Sequence, residues 1–139
     1  MPQDKIQGSC VCGAVRYTIK PEVIAFQYCH CSRCRKSSGS AHGANLFVAA
    51  DNFTWEEGED HVKRYDLPTA KYWSRCFCDT CGSSLPWLSR TGKAYIVPAG
   101  TLDGDPGVKP TRNVHFASGS PWYVHASELE TFDEDPPRK

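Results

Sequence analysis

The 139-residue sequence has no long apolar run, no excess of charge of one sign and few segments with the periodicity of an amphipathic helix. No stretch approaches the roughly 20 apolar residues that a membrane-spanning helix requires. Sixteen basic and sixteen acidic side chains give a formal charge of zero, so the electrostatic signature of a nucleic-acid-binding protein is absent. These absences predict a single domain that binds neither membranes nor nucleic acid.

The N-terminus also lacks the pattern of a secretory signal. Residues 1–8 contain no apolar segment that could direct the chain to an oxidising compartment. We therefore expect a cytoplasmic protein whose thiols are reduced.

Cysteine, by contrast, is abundant, with eight residues in the chain. Most of them lie in tight clusters, whereas disulfides that close loops favour cysteines dispersed along the sequence. At this length, and with 40% hydrophobic residues, the chain can bury a core without covalent cross-links. The clustering therefore favours bound metal over a disulfide framework.

The central cluster, Cys29-His30-Cys31-Ser32-Arg33-Cys34, packs three thiols into six residues. Structural zinc is normally held by four protein ligands, whereas catalytic zinc has three and leaves a position for water or substrate. A compact group of three thiols therefore predicts an open zinc site formed by Cys29, Cys31 and Cys34.

Two further pairs, Cys10-Val11-Cys12 and Cys78-Asp79-Thr80-Cys81, can complete a closed site with four thiols. In an extended segment alternate side chains share a face, so the first pair can present both sulfurs to one ion. In the second pair the chain turns around the ion, and Gly82 can adopt the positive φ that ends such a turn. The binding energy of this ion would contribute to folding.

Spacing alone leaves two questions open. The first is the partition of the ligands, because a sequential arrangement around one ion is also possible: Cys10, Cys12, Cys29 and Cys31. The second is Cys76, which would share a strand face with Cys78 and could crowd or replace a ligand. It could equally be a small buried hydrophobic residue.

The apolar pattern predicts a mainly β domain over residues 1–132, followed by a charged tail over 133–139. Val15, Tyr17 and Ile19 alternate with polar residues, which predicts a half-buried strand after Gly13. Short helical turns are expected over 32–37 and 127–132. Further strands are predicted over 23–28, 45–49, 61–65, 71–77, 84–88 and 94–98.

Three motifs in order resemble the glutathione-dependent formaldehyde-activating enzyme family, also called the GFA or CENP-V domain family. They are G-S-C-V-C-G, Y-C-H-C-S-R-C-R-K-S-S-G-S and F-C-D-T-C-G-S-S-L. The later segments Ala99-Gly100-Thr101-Leu102-Asp103 and Pro121-Trp122 extend the resemblance over the whole chain. It implies a single-domain Mss4-like fold of the β-tent type with two zinc ions.

The resemblance also implies how the ligands divide and what the protein does. It assigns Cys10, Cys12, Cys78 and Cys81 to a structural zinc, and Cys29, Cys31 and Cys34 to a catalytic one. The implied activity is that of a carbon-sulfur lyase that adds glutathione to formaldehyde, giving S-hydroxymethylglutathione, and catalyses the reverse reaction. The alternative is a zinc-stabilised module that binds glutathione or a protein partner without turnover.

Three thiolates outweigh the charge of one zinc ion, so nearby cations are expected. Arg33, Arg35 and Lys36 lie inside or just after the ligand run and are predicted to contact the glutathione carboxylates, or else to be merely solvated. For His30 we expect a structural or supporting role. His115 could face the site, although a buried, hydrogen-bonded histidine is the commoner arrangement.

Overall fold

A computed structural model describes residues 4–138, and short strands dominate it. The one α-helix in these residues is α1, Ser32–Ser38. Isolated 3-10 turns occur at Ala50–Asn52, Glu59–His61, Ala99–Thr101, Phe116–Ser118 and Ala126–Glu128. The strands are β1 Ile6–Ser9, β2 Arg16–Ile19, β3 Val23–Cys29, β4 Gly43–Ala49, β5 Phe53–Glu57, β6 Val62–Asp66, β7 Ser74–Cys78, β8 Ser84–Leu85, β9 Trp87–Leu88, β10 Ala94–Pro98 and β11 Arg112–Val114.

The strands form three sheets. The first has the order β1-β2-β5, the second β11-β3-β4-β10-β9 and the third β6-β7-β8. All pairs are antiparallel except β11 and β3, which are parallel. The predicted mainly β single-domain fold is confirmed. Over the described part of the chain, no helix has the length and apolar character needed to cross a bilayer.

The first sheet buries its apolar side chains against those of β3, β4 and β10. Tyr17 and Ile19 are fully buried, as their alternation predicts. Thr18 departs from that alternation, because it is also buried and its hydroxyl donates to Glu56 Oε1 at 2.8 Å. Gly8 is required on the neighbouring strand, since a Cβ atom there would clash with Tyr17 Cζ.

Most predicted strands occur close to their expected bounds, and the predicted helical turn over 32–37 is α1. The predicted strand over 71–77 begins only at Ser74. The predicted turn over 127–132 is a 3-10 turn at Ala126–Glu128 instead, where the His125 backbone N–H donates to Glu128 Oε2 and Glu128 N donates to the His125 carbonyl.

The prediction omits three strands. Strand β11 is polar in sequence and exists because it pairs with β3, a contact across 85 residues that no local pattern reveals. Strand β1 contains a single large apolar residue, Ile6. Strand β5 did carry a local signal, because Phe53 and Trp55 alternate with polar residues.

Candidate metal centres and the adjoining cavity

The two cysteine pairs from distant parts of the sequence meet in one cluster. Cys10 and Cys12 lie in the turn between β1 and β2, Cys78 ends β7, and Cys81 lies in the following turn. All four sulfurs lie within 4.8 Å of one another. The Cys10–Cys12 and Cys12–Cys78 sulfur distances are 3.5 and 3.9 Å.

This geometry fits a zinc ion. Four sulfurs at about 2.3 Å from a tetrahedral zinc lie about 3.8 Å from one another, close to the two distances given above. Backbone N–H groups also point at the sulfurs, since Val15 N donates to Cys10 and Thr80 N donates to Cys78. Hydrogen bonds from Ser83 lower the pKa of Cys81 to about 5, which favours the thiolate that a metal requires.

The turn at the second pair has the predicted form. Gly82 has a φ of 76° and its N–H donates to the Cys78 carbonyl at 2.8 Å. Cys76 lies two residues before Cys78 but belongs to neither thiol cluster. It packs in the core opposite Leu85, and burial raises the pKa of its thiol to about 11. Of the two alternatives for Cys76, the structure therefore agrees with the small buried hydrophobic residue.

Cys29, Cys31 and Cys34 form the second cluster, with all three sulfurs within 4.8 Å of one another. Cys29 ends β3, Cys31 is the N-cap of α1, and Cys34 lies on its first turn. The Cys34 backbone N–H donates to Cys31 Sγ at 3.3 Å, so the cap orients one sulfur with respect to another. All three residues are buried. The sequential partition, with Cys10 and Cys29 around one ion, is not the arrangement found.

A cavity of about 660 Å³ opens over this second cluster. All three cysteines line it, whereas none of the four cysteines of the first cluster does. Its apolar walls are formed by Phe47, Trp73, Trp87 and Ile96. One group of thiols therefore faces a space that could admit a ligand, and the other does not.

Arg75, which sequence reasoning missed, reaches into the three-cysteine cluster from β7. Its Nη2 donates to Cys34 Sγ at 3.3 Å and its Nε donates to Ser37 Oγ at 3.0 Å. The guanidinium lies over two indole rings, 5.0 Å from Trp73 and 4.1 Å from Trp87. The strand position explains this placement, because Cys76 points into the core and its neighbour Arg75 points to the opposite face.

Cys29 and Cys34 differ in how readily their thiols ionise. A hydrogen bond from Cys29 and the positive charge of Arg75 lower the pKa of Cys34 to about 5. The same hydrogen bond, together with burial, raises the pKa of Cys29. Burial lowers the pKa of Arg75, and the adjacent cysteines oppose that effect. Cys34 thus ionises more readily than Cys29, and Arg75 is the cation beside it.

The predicted substrate-binding residues divide in position. Arg33 lines the cavity, whereas Arg35 and Lys36 are not among the residues that form its walls. Their contact with a ligand remains a prediction. Lys71, which sequence reasoning did not select, also lines the cavity, as do Arg33 and Arg75. The described residues that line this cavity include no aspartate or glutamate.

A second arginine supports the cavity wall. Arg90 donates to the backbone carbonyls of Leu67, Ala70 and Trp73 at 2.7 to 2.9 Å. It also donates to the Lys71 carbonyl at 3.1 Å. One guanidinium therefore holds the irregular segment 67–73, which has no strand pairing of its own beyond the contact of Leu67 with Trp73.

The two histidines singled out in the sequence occupy opposite environments. His30 is fully buried, and its Nε2 lies 2.8 Å from Asn113 Oδ1. Its ring packs against those of His42, Phe116 and Tyr123, in keeping with a structural role. For His115 the expectation of burial is wrong, because it is exposed and lines the cavity. It adopts a φ of 53°, which is uncommon for residues other than glycine.

The sequence model for "Glutathione-dependent formaldehyde-activating enzyme" matches residues 5–118, a range that contains both cysteine clusters. The chain belongs to the glutathione-dependent formaldehyde-activating enzyme family. A protein of Halomonas elongata, provisionally named a member of the same enzyme family, is 31% identical over 136 residues. That alignment covers 94% of this chain and 84% of the relative.

A solved structure supports the fold independently of the family assignment. The crystal structure of a Rhodobacter sphaeroides protein superposes with a TM-score of 0.62 at 22% sequence identity. The superposition covers 78% of this chain and all of the other. At that level of identity the likeness shows the fold alone.

Proposed function

We propose that this protein is a zinc-dependent carbon-sulfur lyase that joins glutathione to formaldehyde, or to a related small aldehyde, and catalyses the reverse reaction. The observation that carries the proposal is the placement of Cys29, Cys31 and Cys34 in the wall of a cavity of about 660 Å³. Membership of the family supplies the chemistry that such a site would perform.

Two zinc ions are part of the proposal. The four-cysteine cluster would hold one, and its sulfur distances and N–H···S contacts support that role. The three-cysteine cluster would hold the other and leave a position facing the cavity. When bound there, zinc would keep an incoming thiol in its deprotonated, nucleophilic form.

The reaction needs few changes of bonding. The sulfur of the thiolate attacks the carbonyl carbon, the carbon–sulfur bond forms, and the carbonyl π pair moves to oxygen. That oxygen then takes up a proton equivalent to the one the thiol released, so the product is the S-hydroxymethyl adduct. The protein must therefore bind the thiol, orient the aldehyde and return one proton.

The cavity residues are suited to binding an anionic thiol. Arg33 and Lys71 line it, no acidic residue of the described chain does, and glutathione carries two carboxylates. A guanidinium can bind a carboxylate through two parallel hydrogen bonds, which orients as well as attracts it. We assign Arg33 to this contact, and Arg35 and Lys36 to longer-range attraction from the adjoining helix.

His115 is the candidate for the proton transfer. It lines the same cavity as the three cysteines, and histidine exchanges protons near neutral pH more readily than any other unperturbed side chain. In this role it would protonate the oxygen of the new adduct, and it would remove that proton in the reverse direction.

Turnover must be separated from binding, because thiols also add to formaldehyde without a catalyst. We would measure exchange between free formaldehyde and its glutathione adduct by exchange NMR, with protein far below the substrate concentration. The proposal predicts an exchange rate above background that rises in proportion to protein, with no change in the equilibrium ratio.

The matched control is Cys31→Ser, which removes one open-site sulfur. It should return the exchange rate to background. A wild-type protein that binds glutathione stoichiometrically yet leaves the exchange rate at background would be a binding module, and the proposed lyase activity would be wrong.

A further inference from the structure

We propose that Arg75 is the positioning residue that allows the three-cysteine site to accept a fourth thiolate. This inference rests on the proposed function, since it assumes that Cys29, Cys31 and Cys34 hold a divalent ion. Arg75 lies outside the cysteine motif at 29–34, 41 residues beyond Cys34 in the chain, so that motif does not reveal its role.

Arg75 is in direct contact with the three-cysteine cluster. Its Nη2 donates to Cys34 Sγ. Among the described residues, Arg75 is the charged side chain that forms a hydrogen bond to the cluster of Cys29, Cys31 and Cys34. The other cations that line the cavity are engaged elsewhere or lack such a contact. Arg90 is committed to backbone carbonyls, and neither Arg33 nor Lys71 has a hydrogen bond to a cysteine sulfur.

The positive charge of Arg75 offsets negative charge at the site. Three thiolates exceed the charge of a divalent ion by one unit, and a bound thiolate substrate doubles that excess. Arg75 reduces the excess by one unit at each stage. Because the site is buried and lined by indole rings, a charge at hydrogen-bond distance acts much more strongly there than it would in water.

The Arg75 side chain is held rigidly. The guanidinium is stacked against Trp73 and Trp87, and its Nε and Nη1 donate to Ser37 Oγ and the Ser74 carbonyl. These contacts fix its plane before any ligand arrives. A preorganised cation needs no reorganisation when the negative charge develops.

This role makes a prediction that differs from that of a carboxylate contact. Every thiol delivers the same negative sulfur, so loss of Arg75 should weaken all thiols alike. Loss of Arg33, which is proposed to bind a glutathione carboxylate, should weaken glutathione alone.

The experiment uses cobalt-substituted protein, because the sulfur-to-cobalt absorption band reports thiol binding at the ion directly and does not depend on turnover. Wild type, Arg75→Gln and Arg33→Gln would each be titrated with 2-mercaptoethanol and with glutathione. We expect Arg75→Gln to lose about tenfold or more in affinity for both thiols, and Arg33→Gln to lose affinity for glutathione only.

Arg16→Gln is the matched control. It removes the same charge from β2, a strand of a different sheet, where Arg16 faces Glu57 at 4.0 Å. It should bind both thiols like wild type. If Arg75→Gln binds 2-mercaptoethanol as tightly as Arg16→Gln does, the inference is wrong while the metal site stands. If the band of the wild-type protein does not respond to any thiol, the open site itself is wrong.

Loss of the stacked guanidinium could also prevent folding, so Arg75→Lys is the second variant. It keeps the charge and removes the planar fork. Because stacking fixes the guanidinium in place, Arg75→Lys should lose some affinity for 2-mercaptoethanol, but about threefold rather than the tenfold or more expected of Arg75→Gln. A folded Arg75→Lys protein that loses as much affinity as Arg75→Gln would show that the retained charge has no effect, and it would overturn the inference.

Discussion

His115 is held in a backbone conformation that few side chains adopt, at the edge of the cavity that contains the three cysteines. Its φ of 53° costs free energy, and such residues tend to occur where the surrounding structure needs them. The position directs an imidazole toward the cavity from a short exposed turn. Its value to the protein would then lie in proton transfer rather than in packing.

We predict that His115→Asn lowers kcat by at least about tenfold, since a positioned acid or base contributes roughly 10²- to 10⁴-fold. Asparagine tolerates the left-handed conformation, so the backbone should be preserved. Thiol affinity, measured by the cobalt band, should stay at the wild-type value. A parallel loss of thiol affinity would identify His115 as a binding residue and remove its role in proton transfer.

At the scale of single elements, the two cysteine clusters differ in what they connect. The four-cysteine cluster joins the turn before β2 to the end of β7, which are 66 residues apart at their closest pair. The three-cysteine cluster is local, formed by the end of β3 and the first turn of α1. An ion in the first cluster cross-links the fold, whereas an ion in the second closes only a short segment.

Cys81→Ser should therefore destabilise the domain more than Cys31→Ser does. Loss of the cross-linking ion removes binding energy that is part of the folding energy, and a few kcal/mol corresponds to a fall in Tm of roughly 10 °C or more. Serine at position 31 still provides an N-cap oxygen for α1, so that variant tests the metal and not the cap. Equal losses of Tm in the two variants would contradict the division of roles.

Most features that the sequence predicted are local, and most that it missed depend on tertiary contact. The exceptions are β5, whose local signal was overlooked, and the four-cysteine cluster, which the family resemblance implied although its two pairs are distant in sequence. The three-cysteine cluster and the helical turn after Cys31 could be predicted because the residues that form each of them lie close together in the sequence. The role of Arg75 could not be predicted, because the identity of a basic residue in a strand does not show which face of the sheet it lies on or which sulfur it contacts. Strand β11 was missed for the same reason, because its partner β3 lies more than 80 residues away in sequence.

For the whole molecule, the two clusters predict two zinc ions of unequal lability. An ion held by Cys29, Cys31 and Cys34 would face the cavity with three protein ligands, so a mild chelator should remove it first while the far-ultraviolet circular dichroism stays unchanged. Stronger chelation should remove the second ion and unfold the domain. Metal analysis that finds one ion per chain, or loss of both ions together with the fold, would contradict this arrangement.

Arg90 holds the segment 67–73 through backbone carbonyls rather than through side chains. Carbonyl groups are present whatever residue occupies a position, so the anchor tolerates changes of sequence in the segment it holds. Lys71, Tyr72 and Trp73 belong to that segment and form part of the cavity wall. Substitutions at Lys71 and Tyr72 can therefore reshape this wall without disturbing the sheets or the two cysteine clusters, whereas Trp73 is constrained by its stacking against the Arg75 guanidinium.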